Sequence, residues 1–166
     1  RRNILTQESK DMKVEFEMVH EDSHPLHKAT LYSTGYDLYS VDNETIPPLG
    51  WSVIKTGLKI KKMPYWMEAQ IRSRSGMASK KGVFVLNSPG TIDPDYRGEI
   101  KVILMNMGHL PYDVSIGDKI AQMVFAEAVS PALNAVIISH TERGDGGLGS
   151  TDKRSDQLAN APMGND

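Results

Sequence analysis

The chain of 166 residues contains no cysteine. That absence removes disulfides, zinc ribbons, thiol nucleophiles and any catalytic zinc held by His and Cys. Nor is there an apolar run near the length that crosses a bilayer, or a basic-then-apolar start of the secretory kind, so an intracellular protein with no membrane partner is expected. Neither charge is in surplus. Against 19 Lys and Arg stand 21 Asp and Glu, a formal net charge of -2, and nothing in that balance favours nucleic acid. Hydrophobic residues at 39% and charged residues at 24% describe a soluble globular chain, long enough for one domain with a true core.

What is present is a succession of short β patterns. Met12 to Val19 alternates, with Val14, Phe16 and Met18 on one face and Lys13, Glu15 and Glu17 on the other, which predicts a half-buried strand. Ile46-Pro47-Pro48-Leu49-Gly50 reads as a turn and Trp51 to Thr56 as a strand. Leu58 to Lys61 and Trp66 to Arg72 alternate again around a break at Met63-Pro64-Tyr65. Lys59, Lys61 and Lys62 form the densest basic cluster, read as a solvated strand face because no aromatic rings interleave it. His24 and His27 flank Pro25-Leu26 and read as loop residues. Further on, Asn106-Met107-Gly108 is expected to turn, Lys119 to Ala126 to form an apolar strand carrying Gln122, and Leu133 to Ile138 to form the last strand. Short strands at regular spacing with turn signals between them predict an all-β sandwich or barrel. One short helix is expected near Ser75, capped by Ser75 and ended by Gly82. Three stretches result: residues 1–11 as an extension or scar, 12–138 as the β domain, and 139–166 as a flexible arm.

Asn87 to Glu99 reads Asn-Ser-Pro-Gly-Thr-Ile-Asp-Pro-Asp-Tyr-Arg-Gly-Glu. Apolar β-prone runs lie on either side, Val83 to Leu86 before it and Ile100 to Leu104 after it, so a hairpin is predicted. Between its arms sit a carboxylate in an apolar setting, Asp93 after Ile92, and an aromatic ring, Tyr96, with Gly90 and Gly98 allowing close backbone approach. Arg74-Ser75-Gly76 at a helix start offers a guanidinium, a hydroxyl and unpaired N–H groups, all suited to anions. It is equally the sequence of an ordinary cap beside a surface arginine. Arg143 followed by four glycines and Ser150-Thr151 is a donor-rich loop of the kind that wraps phosphates, or a plain terminus. Asp37 and Asp118, in Gly-Tyr-Asp and Gly-Asp-Lys, are by default turn residues bonding their own backbone.

Taken in order, Gly-Tyr-Asp-Leu (35 to 38), Arg-Ser-Gly-Met-Ala (74 to 78), Gly-Thr-Ile-Asp-Pro-Asp-Tyr-Arg-Gly-Glu (90 to 99), Gly-Asp-Lys-Ile-Ala-Gln (117 to 122) and Arg-Gly-Asp-Gly-Gly-Leu-Gly-Ser-Thr (143 to 151) resemble the five motifs of the trimeric deoxyuridine triphosphatases, or dUTPases. The resemblance covers most of the chain. It implies a jelly-roll-like, distorted β-barrel, a homotrimer whose active sites lie between subunits, and conversion of dUTP and water to dUMP and pyrophosphate. By that resemblance Asp93 would be the general base for in-line attack of water at the α-phosphorus, and would also meet the 3'-hydroxyl. Positioning and charge neutralisation carry the rate at such a centre, whose oxygens repel a nucleophile.

The same resemblance implies that Arg74, Ser75, Gly76 and Gln122 hold the phosphates from one subunit while Arg143, Gly149, Ser150 and Thr151 close from another. Asn87 and the backbone from Gly90 through Thr91 to Ile92 would read the uracil edge and leave no room for a 5-methyl group. Tyr96 would pack under the sugar, where a 2'-hydroxyl clashes. Mg²⁺ would ride on the triphosphate and waters, with no direct protein ligand. Asp37 and Asp118 would then be structural or outer groups.

Two departures from the family pattern stand out. Leu148 replaces the usual Phe that stacks on uracil, which implies a raised KM with hydrolysis retained, and Ser73 replaces a common Pro. The zinc-free dCTP deaminases and the bifunctional deaminase-dUTPases share the fold but place a catalytic Glu where this chain has Ile103. Ile cannot shuttle a proton. A dUTPase-like regulatory binding module is the remaining alternative.

Overall fold

The computed structural model describes residues 12–136. Eleven strands and one helix are found there: β1 Glu15–Met18, β2 Tyr36–Tyr39, β3 Glu44–Ile46, β4 Trp51–Lys55, β5 Leu58–Lys62, β6 Met67–Arg72, α1 Ser75–Lys81, β7 Val83–Val85, β8 Gly90–Ile92, β9 Lys101–Asn106, β10 Tyr112–Val114 and β11 Lys119–Glu127. The expected all-β class with one short helix stands. The chain divides into two units, Arg1–Ser130 and Pro131–Asp166, and all of these elements lie in the first. In the second, residues 131–136 form no strand. That corrects the expected last strand over its described part, while residues 137 and 138 lie outside the description.

The strands form four sheets, β1–β5, β3–β10, β2–β11–β6–β8 and β4–β9–β7. No closed ring is formed among the described residues. Alternation along each strand decides which side faces inward. In β6, Met67, Ala69 and Ile71 are buried while Glu68, Gln70 and Arg72 are not. In β9 the inward residues are Val102, Leu104 and Asn106. β11 runs between β2 and β6 and buries Ile120, Ala121, Met123 and Val124. With Leu38, Ile46, Ile54, Leu58, Ile60 and Ile100, the buried residues of β6, Val102 and Leu104 of β9, and Ile120, Ala121 and Met123 of β11 make one core. Asn106, inside it, donates its amide to the Ile46 and Leu110 carbonyls at 3.0 and 2.9 Å, while its Oδ1 accepts the Gly108 N–H. The expected turn at 106–108 therefore begins from a buried strand residue.

Two β-faces depart from simple burial. Phe16 and Met18 of β1 are 38% and 52% exposed, so the strand read as half-buried is mostly solvent-facing. The outer face of β4–β9–β7 is apolar as well. Trp51 pairs with Met105, Val53 with Ile103 and Phe84 with Met105, all on the side away from Ile54, Val102 and Leu104, and Trp51 is 60% exposed. A sheet apolar on both sides has one side built for something else.

Helix α1 ends as expected. Gly82 adopts φ 68° and ψ 20° and donates to Ala78 and Met77, the left-handed closure that glycine makes without strain. It starts one residue earlier than expected, however. Arg74 is the N-cap, in extended conformation and without a side-chain cap bond, and Ser75 is already helical. Ser73 is used differently: its Oγ accepts the Val85 N–H at 2.9 Å, so it braces β7 and not the helix.

Candidate active site

β6 runs from one half of the site to the other. At its C-terminal end Arg72 gives way to Ser73, whose carbonyl accepts the Gln122 Nε2–H at 3.0 Å. Gln122 itself lies opposite both Asp37 and Arg72 in the sheet. A Cβ on Gly35 would sit 2.3 Å from Gln122 Oε1, so the first glycine of the Gly-Tyr-Asp motif is what lets this amide lie there.

The next residue but one, Arg74, is held on two sides. Its Nη1 donates to the Lys119 carbonyl at 2.8 Å, and its Nε lies 3.8 Å from Asp37 Oδ1. The second Asp37 oxygen takes the Lys119 ammonium at 2.7 Å. Asp37, whose side chain is only 13% exposed, is thus a strand residue between two cations and not the turn residue its local sequence suggests. The Asp37 hydrogen bond and charge hold the Lys119 ammonium above its ordinary pKa. Lys119 also lies over the Tyr39 ring, 5.6 Å from its centroid, and Tyr39 stacks on His24 at 4.3 Å. Asp118 does turn the chain: its Oδ2 accepts the Ser115 N–H at 2.9 Å and its own N–H donates to the Ser115 carbonyl. Ser75 and Gly76 are exposed, and a Cβ on Gly76 would meet nothing within 4 Å.

At the other end of β6 lies the segment 87–99. The predicted hairpin arms do pair, Val83 with Asn106 and Val85 with Leu104. Their connection does not stay with them, because Gly90, Thr91 and Ile92 cross over to form β8 against Ile71, Gln70 and Ala69 of β6. Asn87 is exposed, with its Nδ2 3.0 Å from where a Gly90 Cβ would be, and Ser88–Pro89 is cis. Asp93 follows immediately and is exposed, not apolar in setting. Among the described residues no donor reaches its carboxylate. Its carbonyl accepts the Tyr96 N–H at 3.1 Å, which folds the Tyr96 ring back toward Gly98. Tyr96 Oη donates to the Glu99 carbonyl at 3.1 Å, and a Cβ on Gly98 would lie 2.3 Å from that oxygen. Glu99 Oε1 accepts the Gly57 N–H at 3.0 Å, tying the end of the loop to the core.

The sheet register keeps the two ends apart. Continuing the β6–β8 pairing brings Asp93 level with Glu68, and four residues of strand from there to Arg72 cover about 13 Å. Asp93 and the corner that carries Arg74 therefore lie toward opposite ends of β6. Four cavities among the described residues are lined by other groups, for example an apolar groove of about 390 Å³ between Val14, Phe16, Leu26, Tyr36, Met67 and Phe125. Arg143, Leu148, Gly149, Ser150 and Thr151 lie outside the described residues. Lys119 is the group that sequence reasoning passed over, although it stands inside the Gly-Asp-Lys-Ile-Ala-Gln motif.

A family model described as dUTPase matches residues 21–152, a span that contains all five motifs. The deoxyuridine 5'-triphosphate nucleotidohydrolase of Hydrogenobaculum sp. is 46% identical over 142 residues, covering 84% of this chain and 98% of that protein. The enzyme of the same name from Ehrlichia canis is 49% identical over 128 residues, 74% of this chain and 83% of that one. Among solved structures, the dUTPase of Staphylococcus bacteriophage 80alpha with dUpNHpp is similar at a TM-score of 0.74 and 23% identity, covering 83% of this chain and 97% of that chain. A variant dUTPase from phage phi11 of S. aureus, in which a structural Mg(II) ion is coordinated, gives 0.71 and 21%, over 78% and 99%. These structural likenesses establish the fold.

Proposed function

The chain belongs to the dUTPase family, and we propose that it hydrolyses dUTP to dUMP and pyrophosphate. The observation that carries this is the family match spanning all five motifs, with relatives named for that activity aligned over nearly their whole length. In the reaction a water oxygen bonds to the α-phosphorus, the bond from that phosphorus to the bridging oxygen breaks, and pyrophosphate leaves with the electron pair. Asp93 orients the water and takes its proton, and it also meets the 3'-hydroxyl. A carboxylate that no donor among the described residues engages suits that task. Asn87 and the backbone from Gly90 to Ile92 read the uracil edge, and Tyr96, fixed over Gly98, closes against the sugar.

Arg74, Ser75, Gly76 and Gln122 hold the phosphates, with Arg143, Gly149, Ser150 and Thr151 closing over them and Leu148 covering the base. The separation of Arg74 from Asp93 along β6 supports a site assembled from different copies of the chain, and we assign it to a homotrimer. The apolar outer face of β4–β9–β7, with Trp51, Val53, Phe84, Ile103 and Met105, is a surface suited to such contact. Mg²⁺ fits here as an ion carried by triphosphate oxygens and water. Among the described residues no three His, Asp or Glu side chains gather, and both oxygens of Asp37 face cations. When bound, the ion supplies neutralisation of phosphate charge. Its place of action is the intracellular nucleotide pool, where the reaction keeps uracil out of DNA and supplies dUMP for thymidylate synthesis. No helix among the described residues is long and apolar enough to cross a membrane.

The deaminase alternative meets Ile103, which packs on the outer face of β9 opposite Val53 and brings no carboxylate. Product analysis with dUTP, dCTP, dTTP and UTP in turn, with and without Mg²⁺, tests the assignment. Only dUTP should be consumed, to dUMP and pyrophosphate, and Asp93→Asn should abolish it. Release of ammonia from dCTP, or tight binding of dUTP without turnover, would replace hydrolysis by deamination or by a regulatory binding role.

A further inference from the structure

We propose that Lys119 is a positioning residue for Arg74, keeping the guanidinium available to phosphate by sharing the carboxylate that would otherwise capture it. The inference rests on the assignment of Arg74 to the phosphates and goes beyond it. Lys119 acts on Arg74 twice. Its backbone carbonyl accepts the Arg74 Nη1–H at 2.8 Å, and its ammonium engages Asp37, the carboxylate that pairs with that guanidinium among the described residues.

The two distances differ in kind. Lys119 Nζ to Asp37 Oδ2, at 2.7 Å, is a short charge-assisted hydrogen bond. Arg74 Nε to Asp37 Oδ1, at 3.8 Å, lies beyond hydrogen-bonding range. Asp37 therefore aligns the arginine without closing on it. Guanidinium and carboxylate match as two parallel bonds when nothing competes, and the Lys119 ammonium is that competitor. It is kept in place from its far side by the Tyr39 ring, which is stacked on His24, and by the ladder that sets Lys119 opposite Tyr39.

Arg74, Lys119 and Asp37 together carry one net positive charge, enough to attract a phosphate while the carboxylate is still partnered. Without the ammonium the cluster is neutral, and Asp37 can draw in the whole fork. A phosphate must then displace an internal partner before it binds. A plain exposed ion pair would have none of these consequences for ligand binding.

The test measures binding of dUpNHpp and of deoxyuridine to the full chain, together with kcat and KM for dUTP and a thermal melt. Lys119→Met and Lys119→Gln should each weaken dUpNHpp by about tenfold, the scale of one charge-assisted contact. Deoxyuridine affinity should stay as in wild type, KM should rise more than kcat falls, and Lys119→Arg should restore binding. The decisive variant adds Asp37→Asn to Lys119→Met: with the competing charge gone, dUpNHpp should bind more tightly than to Lys119→Met alone. Unchanged dUpNHpp affinity in both Lys119 variants, alongside a loss in Arg74→Ala, overturns the role of Lys119 and leaves the phosphate assignment standing. A double variant no better than the single one also overturns it, since capture of the guanidinium by Asp37 would then not be what weakens binding. Unchanged affinity in Arg74→Ala removes both.

Discussion

The two ends of β6 are built on opposite plans. At the Arg74 end the charged groups and the Gln122 amide have internal partners: Asp37 lies between Lys119 and Arg74, Arg74 reaches the Lys119 carbonyl, and Gln122 holds the Ser73 carbonyl. At the Asp93 end the backbone is fastened, through Tyr96 to Glu99 and Glu99 to Gly57, yet the Asp93 carboxylate stands exposed and unengaged among the described residues. Groups that must receive a triphosphate have to be held against each other beforehand, because like charges in an unbraced cluster spread apart. A base that must take a proton from water gains nothing from an internal donor, which would only stabilise its ionised form and weaken it.

Asp93→Asn puts the largest strain on this contrast. It should lower kcat by about 10²–10⁴-fold, as loss of a general base does, while chemical denaturation shows stability within about 0.5 kcal/mol of wild type. A comparable loss of stability would mean that Asp93 is held inside the chain, and the contrast would fail. Leu148→Phe comes next, since the proposed reading puts that side chain over the base. Stacking on a base is worth about 1 to 3 kcal/mol, so KM for dUTP should fall by about fivefold or more, with kcat little changed. If steady-state kinetics show both constants unmoved, Leu148 does not lie over the base.

Gly98→Ala tests the fastening of the open end without touching the carboxylate. The new Cβ would sit 2.3 Å from Tyr96 Oη and 2.5 Å from its Cζ, so the ring must move. The ratio of kcat/KM for dUTP over UTP should drop by about tenfold, and an unaltered ratio would separate Tyr96 from sugar discrimination. The smallest effect belongs to the braced end. Because the Lys119 pKa is raised above 10.5 by pairing with Asp37, its stabilisation is complete below that value and fades as pH rises through the folded-state pKa. The stability gap between wild type and Lys119→Met, followed by urea denaturation, should therefore be present at pH 8 and shrink above about pH 10.5. A gap that widens with pH would contradict the pairing.

Much of this could be read from the residues in order, and what could not has physical causes. The alternation of β6 and β9 was legible because every second residue meets one core. The five motifs were legible because each is local. The partners of Asp37 were not, because Lys119 stands 82 residues away and only the β2–β11 pairing brings it near. The crossing of Gly90–Ile92 onto β6 was equally hidden, since three residues are too few to show a period. β1 misled for another reason: Phe16 and Met18 alternate as core residues do, yet the described part of the chain leaves them 38% and 52% exposed. The one-residue error at α1 arose because serine is the better cap by type, whereas Ser73 and Arg74 are already committed to Val85 and Lys119.

The exposed position of Trp51 has an optical consequence. The sequence holds two tryptophans: Trp66 packs against the core, whereas Trp51 stands 60% exposed on the apolar face of β4–β9–β7. If copies of the chain join through that face, the indole of Trp51 passes from water into a dry seam and its fluorescence emission moves to the blue, while Trp66 supplies a constant background. A dilution series read at one excitation wavelength would then report assembly with no label attached.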